Sequence, residues 1–111
     1  MRDDGKIDYV ELAGGDIAAT KAFYGQAFGW TFQDYGPDYQ AFDQGVDGGF
    51  YAGGEGAAPL VVLYARDLEA MAARVDAAGG QITRPIYSFP GGRRFHFRDP
   101  AGNELAVWSE G

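Results

Sequence analysis

Residues 16–30 read D-I-A-A-T-K-A-F-Y-G-Q-A-F-G-W and carry the strongest local signal in the chain. Asp16 has a short carboxylate that can accept hydrogen bonds from the free amides of a helix start. Ile17, Thr20, Phe23, Tyr24 and Ala27 then recur at helical spacing. Gly29 stands where such a helix stops, because glycine enters the left-handed conformation without a side-chain clash. Before the helix, Ile7-Asp8-Tyr9-Val10-Glu11-Leu12 roughly alternates apolar and polar residues, as a strand does. After it, three short strands are expected at Trp30 to Tyr35, Tyr39 to Asp43 and Gly49 to Ala52. Gly36-Pro37-Asp38 and Asp47-Gly48-Gly49 separate them with the residue types that turns require.

The second half repeats this plan. Leu60-Val61-Val62-Leu63-Tyr64 is an apolar strand, and Asp67 caps a helix with the inward stripe Leu68, Met71, Val75 and Ala78. Gly79-Gly80 stops it. Strands follow at Gln81 to Tyr87, Arg93 to Arg98 and Glu104 to Ser109, with turns at Pro90-Gly91-Gly92 and Asp99-Pro100-Ala101-Gly102-Asn103. Ala52 to Pro59, rich in Gly and Ala, reads as the linker. Two units that share a plan but little identity suggest an internal duplication. The expected fold is α+β: two βαβββ modules, about 5–53 and about 59–110, forming curved mixed sheets around a small-molecule cup within a single domain, 1–111.

Composition narrows the function classes. A chain of 111 residues with 46% hydrophobic residues can bury one thin core. The formal charge of -7 repels phosphate backbones, so nucleic acid is not an expected partner, while a cationic ligand would be attracted. There are no cysteines and a single histidine, which removes thiol catalysis and thiolate metal sites. No apolar run approaches the ~18 residues of a membrane span, and Met1-Arg2-Asp3-Asp4 has no signal-peptide character. No membrane partner and a cytoplasmic location are the expectations. No phosphate-binding glycine motif or nucleophile elbow is present.

The run from Asp16 to Trp30 resembles the first-helix signature of the glyoxalase/bleomycin-resistance (vicinal oxygen chelate) superfamily, in which an Asp cap precedes a helix ending in F-Y-x-x-x-F-G-W. Arg93 to Trp108, R-R-F-H-F-R-D-P-A-G-N-E-L-A-V-W, resembles the closing hairpin of the same superfamily, with its D-P-x-G-N turn at Asp99 to Asn103. The resemblance covers nearly the whole chain. It implies the paired βαβββ fold and, for a chain of this length, a two-fold homodimer. It does not imply one chemistry, because the superfamily includes enzymes and binding proteins alike.

In metal-dependent members, four inward-facing strand positions hold a divalent ion. The resemblance places these at Tyr9 or Glu11, near Gly49 or Tyr51, at Val62 and at Ala106. Valine, alanine and glycine side chains cannot coordinate, and tyrosine is a rare ligand. No metal and no other cofactor are therefore expected, although an oxygen-rich site built from scattered carboxylates stays open.

Alternation on the strands sorts the remaining candidates by face. Tyr9 and Glu11 share a parity, as do Val62 and Tyr64, Arg94 and His96, and Ala106 and Trp108. With Trp30 as an aromatic wall, these make the candidate ligand-binding set. His96 is the one side chain that ordinarily titrates near neutrality, and with Glu11 it is a candidate proton carrier. Each has an ordinary structural alternative. His96 can be hydrogen-bonded within its strand face, Arg94 can pair with a surface acid, and Glu11 can lie at a wet rim. Trp30, Tyr64 and Trp108 can be plain core. Three functions follow: a metal-free protein that sequesters a cationic or aromatic compound; a lyase, isomerase or dioxygenase of the same superfamily, with or without metal; or a module whose pocket is filled by Trp108, Tyr64 and Tyr9.

Overall fold

Both capping aspartates act as the sequence predicts. In the computed structural model, which describes residues 2–111, Asp16 accepts from the Ala19 amide at 3.3 Å and Asp67 from the Ala70 amide at 3.1 Å. Helix α1 (Ile17–Phe28) ends on Gly29, which takes the left-handed conformation at φ 72°. Helix α2 (Leu68–Ala77) ends on Ala78, and Gly79 then turns the chain at φ 100°. The strands are β1 (Ile7–Gly15), β2 (Gln33–Asp34), β3 (Tyr39–Asp43) and β4 (Asp47–Ala52), then β5 (Leu60–Tyr64), β6 (Gln81–Phe89), β7 (Gly92–Arg98) and β8 (Glu104–Ser109). The fold is α+β, and the order is βαβββ twice over.

The chain forms two compact units: Tyr9–Leu60, and the opening residues through Asp8 together with Val61–Gly111. In the first unit the strands lie in the order β2-β3-β4-β1, with β1 parallel to β4. In the second they lie in the order β5-β8-β7-β6, with β5 parallel to β8. The two orders are the same, so the duplication seen in the sequence is also one of topology. The opening residues through Asp8 group with the second unit. Gly5 donates to the Tyr64 carbonyl at 2.8 Å, and the Tyr64 amide donates to Lys6 at 3.2 Å. Asp4 accepts from the Arg66 amide at 2.8 Å. Backbone pairing of this kind leaves no mark in a periodicity.

Packing differs between the units. In the second, Ala65, Leu68, Phe95 and Val107 form a fully buried core, with Met71, Val75 and Ile82 packed against it. Burying each large apolar side chain of this kind contributes about 1.5–3 kcal/mol. In the first, α1 has no fully buried residue. Its stripe is narrower than the spacing predicts: Ile17, Thr20 and Tyr24 are half-buried, but Phe23 is 56% exposed, and Phe28 beyond it is 64% exposed. The helix is held close instead by Gly14, whose carbonyl accepts from Thr20 Oγ1 at 2.6 Å and where a methyl would meet Ile17 and the Tyr51 carbonyl. The strand expected at Trp30 to Tyr35 contracts to Gln33–Asp34, because Trp30 and Phe32 turn into an aromatic cluster.

Candidate functional site

Strand register divides each unit into a helix-covered face and an opposite face. In the second unit Val62 pairs with Ala106 and Tyr64 with Trp108; on β7, Arg94 pairs with Trp108 and His96 with Ala106. Cross-strand partners share a face. The structure therefore brings Val62, Tyr64, Arg94, His96, Ala106 and Trp108 onto one face, while Phe95 and Val107 point to the α2 side. Val62 and Ala106 are covered, at 2% and 0% exposure, and Tyr64 is buried. Arg94, His96 and Trp108 are half-buried and retain polar atoms at that face.

Tyr87 organises the polar part of this face. Arg94 Nε donates to the Tyr87 hydroxyl, and that oxygen lies 2.9 Å from His96 Nε2. A carboxylate can only accept, so with Glu104 beside Nδ1 a neutral imidazole carries its proton on Nδ1 and Nε2 accepts from the Tyr87 hydroxyl. Nδ1 faces Glu104 Oε2 at 3.6 Å, and Thr83 Oγ1 donates to the same carboxylate oxygen at 3.1 Å. The Arg84 guanidinium lies 3.6 Å over the Tyr87 ring. Burial first, and then the Arg94 charge, hold the His96 pKa below its ordinary value, with Glu104 pulling the other way. The result is a neutral imidazole hydrogen-bonded to Tyr87 and facing the Glu104 carboxylate. Neither Tyr87 nor Arg84 stands out in the sequence. β6 carries register shifts between Ile82 and Arg84 and between Arg84 and Tyr87, so simple alternation does not reach them. Pro85, inside the strand, is the one local sign of that irregularity.

In the first unit Glu11 pairs with Gly49 and Ala13 with Tyr51, while Ala41 pairs with Gly49 and Tyr39 with Tyr51. Val10, Leu12 and Phe50 take the other parity, toward α1. On the helix-free face the Tyr9 and Tyr39 hydroxyls are 2.5 Å apart, and Tyr39 donates to Glu11 Oε2 at 3.2 Å. Burial is the first cause that raises the pKa of each phenol; the Glu11 charge adds to it. Both therefore stay protonated across the physiological range, as hydrogen-bond donors. The sequence places Tyr9 and Glu11 together, but it does not single out Tyr39, which joins them only through the β1–β4–β3 register.

Trp30 lies elsewhere in the first unit. It does not join Tyr9 and Glu11. It stacks on Tyr24 at 4.6 Å and lies 5.0 Å from Phe42, within the aromatic packing on the α1 side. The helix supplies few buried side chains of its own, so the residues just after its end fill the gap. Two open clefts, of about 440 and 540 Å³, also lie on this side. Leu12, Tyr24 and Phe50 line the first, and Lys21, Trp30 and Phe32 the second. Both are mostly apolar and lack convergent polar groups.

The donor set does not fit the metal centre of metal-dependent relatives. Glu11 and Val62 each precede their helix cap by the same interval, and their parallel-strand partners are Gly49 and Ala106. Only Glu11 among these four has a coordinating side chain. Among the described residues no group of three or more His, Cys, Asp or Glu is placed to hold a metal ion.

Comparison with known proteins agrees with this architecture. The model of the Glyoxalase/Bleomycin resistance protein/Dioxygenase superfamily matches residues 6–107, and the chain belongs to that superfamily. No curated protein matches it. A solved superfamily member from Vibrio splendidus 12B01 superposes with a TM-score of 0.69 at 19% identity, over 94% of this chain and 97% of that one. An NAD-dependent benzaldehyde dehydrogenase from Legionella pneumophila gives a TM-score of 0.77 at 14% identity, over 93% and 98%. At these identities the likeness is one of fold. The Mn(II)-bound glyoxalase from Novosphingobium aromaticivorans is 25% identical with a TM-score of 0.68; the match covers 99% of this chain but 40% of that protein. No helix among the described residues is long and apolar enough to cross a membrane.

Proposed function

We propose that this chain is a small-molecule-binding protein that works without a metal and takes an organic cation carrying a planar or aromatic group. The observation that carries this reading is the Tyr9–Tyr39–Glu11 cluster: two half-buried phenols hydrogen-bonded to each other and to a carboxylate, on the face that α1 leaves uncovered. Phenol rings attract cations through their negative faces, and a carboxylate supplies the countercharge. The net charge of -7 draws a cation toward the protein as a whole. The single carboxylate among the four metal positions supports metal independence. As a binder of this kind the protein is expected to act in the cytoplasm as a homodimer, as chains of this family and length do.

Thermal shift with benzyltrimethylammonium and with benzoate tests the reading. The cation is expected to raise the melting temperature, with Tyr39→Phe and Glu11→Gln each reducing the gain, and benzoate is expected to have no effect. Stabilisation by benzoate alone, or by neither compound, would overturn it.

The Arg94–Tyr87–His96 chain favours a second reading, a metal-independent lyase or isomerase in which the Tyr87 oxygen takes a proton from a carbon acid as its own proton passes to neutral His96 Nε2. Such an enzyme would wash deuterium from solvent into α-hydroxy ketones, and His96→Gln would abolish the exchange while leaving the fold intact. A wild-type protein that exchanges no deuterium into such a panel removes this reading.

A further inference from the structure

Arg2 is held in a way that the binding reading does not use. Its guanidinium carbon lies 4.9 Å from the centroid of the Trp108 ring. Its Nε donates to Asp8 Oδ2 at 3.2 Å, and its Nη1 lies 3.7 Å from Glu110 Oε2. The two carboxylates are themselves positioned. Trp108 Nε1 donates to Asp8 Oδ2 at 3.0 Å, which fixes the indole edge. Buried Tyr64 donates to Glu110 Oε1 at 2.8 Å and packs edge-on against Trp108 at 5.6 Å. The indole face, one carboxylate at its edge and a second beyond it form a receptor for a flat cation, and a flat cation already sits in it. Guanidinium over indole with carboxylates beside it is a favourable pairing for this group. Arg2 is 43% exposed, Asp8 18% and Glu110 60%, so Asp8 is the shielded carboxylate of the pair.

We propose that Trp108, Asp8 and Glu110 form a binding site for a small organic cation of the guanidinium or amidinium type, which Arg2 occupies from within the chain. The site uses residues other than Tyr9, Tyr39 and Glu11 and goes beyond the reading given above. An external cation enters only when the Arg2 side chain leaves. The apparent affinity is therefore lowered by the fraction of molecules in which Arg2 is displaced. If Arg2 fills the site nine-tenths of the time, the loss is about tenfold.

Titration with Nα-acetyl-arginine amide, followed by the indole N–H signals in 1H–15N spectra, tests this, with Trp108→Phe identifying the Trp108 signal. In Arg2→Ala the Trp108 signal is expected to shift saturably, with a dissociation constant at least about tenfold lower than in the wild type. Asp8→Asn in the Arg2→Ala background should abolish most of that gain. Nα-acetyl-glutamate amide should not move the signal. A Trp108 signal that responds no better in Arg2→Ala than in the wild type would overturn the proposal. That outcome is separable from a failure of the binding reading, which is scored on Tyr39→Phe and Glu11→Gln with benzyltrimethylammonium. A spectrum of Arg2→Ala that matches the wild type away from Trp108 shows that the variant is folded.

Discussion

The Tyr39 ring lies across Gly49, so a methyl group at position 49 would run into the phenol. Gly49 is also the parallel-strand partner of Glu11. Its missing side chain is thus what lets Tyr39 reach Tyr9 and Glu11 over the sheet. Gly49→Ala is expected to displace the ring and to destabilise the protein by about 1–3 kcal/mol, the usual cost of overpacking. Tyr39→Ala should relieve most of that cost, so the double variant should be clearly less destabilised than the sum of the singles. Urea denaturation of the four proteins measures this. Additive effects would mean that Gly49 is needed for some other reason.

His96 should titrate below its ordinary value near 6.5, because burial and the Arg94 charge disfavour the imidazolium. The sign follows from linkage. The unfolded chain binds the proton more readily, so the stability contributed by neutral His96 is fully present above about pH 6.5 and is lost as pH falls through the folded pKa. Histidine signals followed by NMR from pH 8 to 4 should give a midpoint under 6.5, and Arg94→Gln should move it upward. A wild-type midpoint above 6.5 would show that Glu104 outweighs both burial and Arg94.

Protein incubated with nickel, zinc, manganese and iron(II), then freed of excess by gel filtration, should retain well under one equivalent of each. Glu11, with Gly49 as its partner, offers one coordinating side chain, and Val62 with Ala106 offers none. Plasma mass spectrometry of metal content is the measurement. A stoichiometric ion that survives filtration would mean that carboxylates elsewhere form a site, and it would bring back the metal-dependent lyase and dioxygenase readings.

Much of the fold was legible because it rests on local signals. Asp16 and Asp67 cap, Gly29 and Gly79 stop, and Asp99 accepts from the Ala101 and Asn103 amides to hold its turn. Each works within a few residues of itself, so it can be read without knowing what lies across the sheet. Strand parity was legible where the strands are regular. It pairs Tyr9 with Glu11, Val62 with Tyr64, Arg94 with His96 and Ala106 with Trp108 within their strands, and the register then joins the last three pairs on one face.

Parity failed where backbone irregularity or packing took over. Tyr87 is separated from Ile82 by two register shifts, and counting in twos cannot cross them. Trp30, which the sequence leaves as either a pocket wall or plain core, packs beside Tyr24. The α1 stripe is narrower than its spacing predicts for a related reason. Helical spacing gives the direction of a side chain but not whether anything meets it, and nothing in the unit covers Phe23 or Phe28 fully.

The sequence by itself determined the duplicated βαβββ plan, the positions of both helices and the poverty of metal ligands, since these depend on residue type and short spacing. Only the tertiary structure decided which residues meet: Tyr39 with Tyr9, Tyr87 with His96, and Arg2 with Trp108. The physical reason is distance along the chain. These contacts join residues that no common periodicity relates, and their partners are chosen by strand order, by register and by the shape of the space that packing leaves.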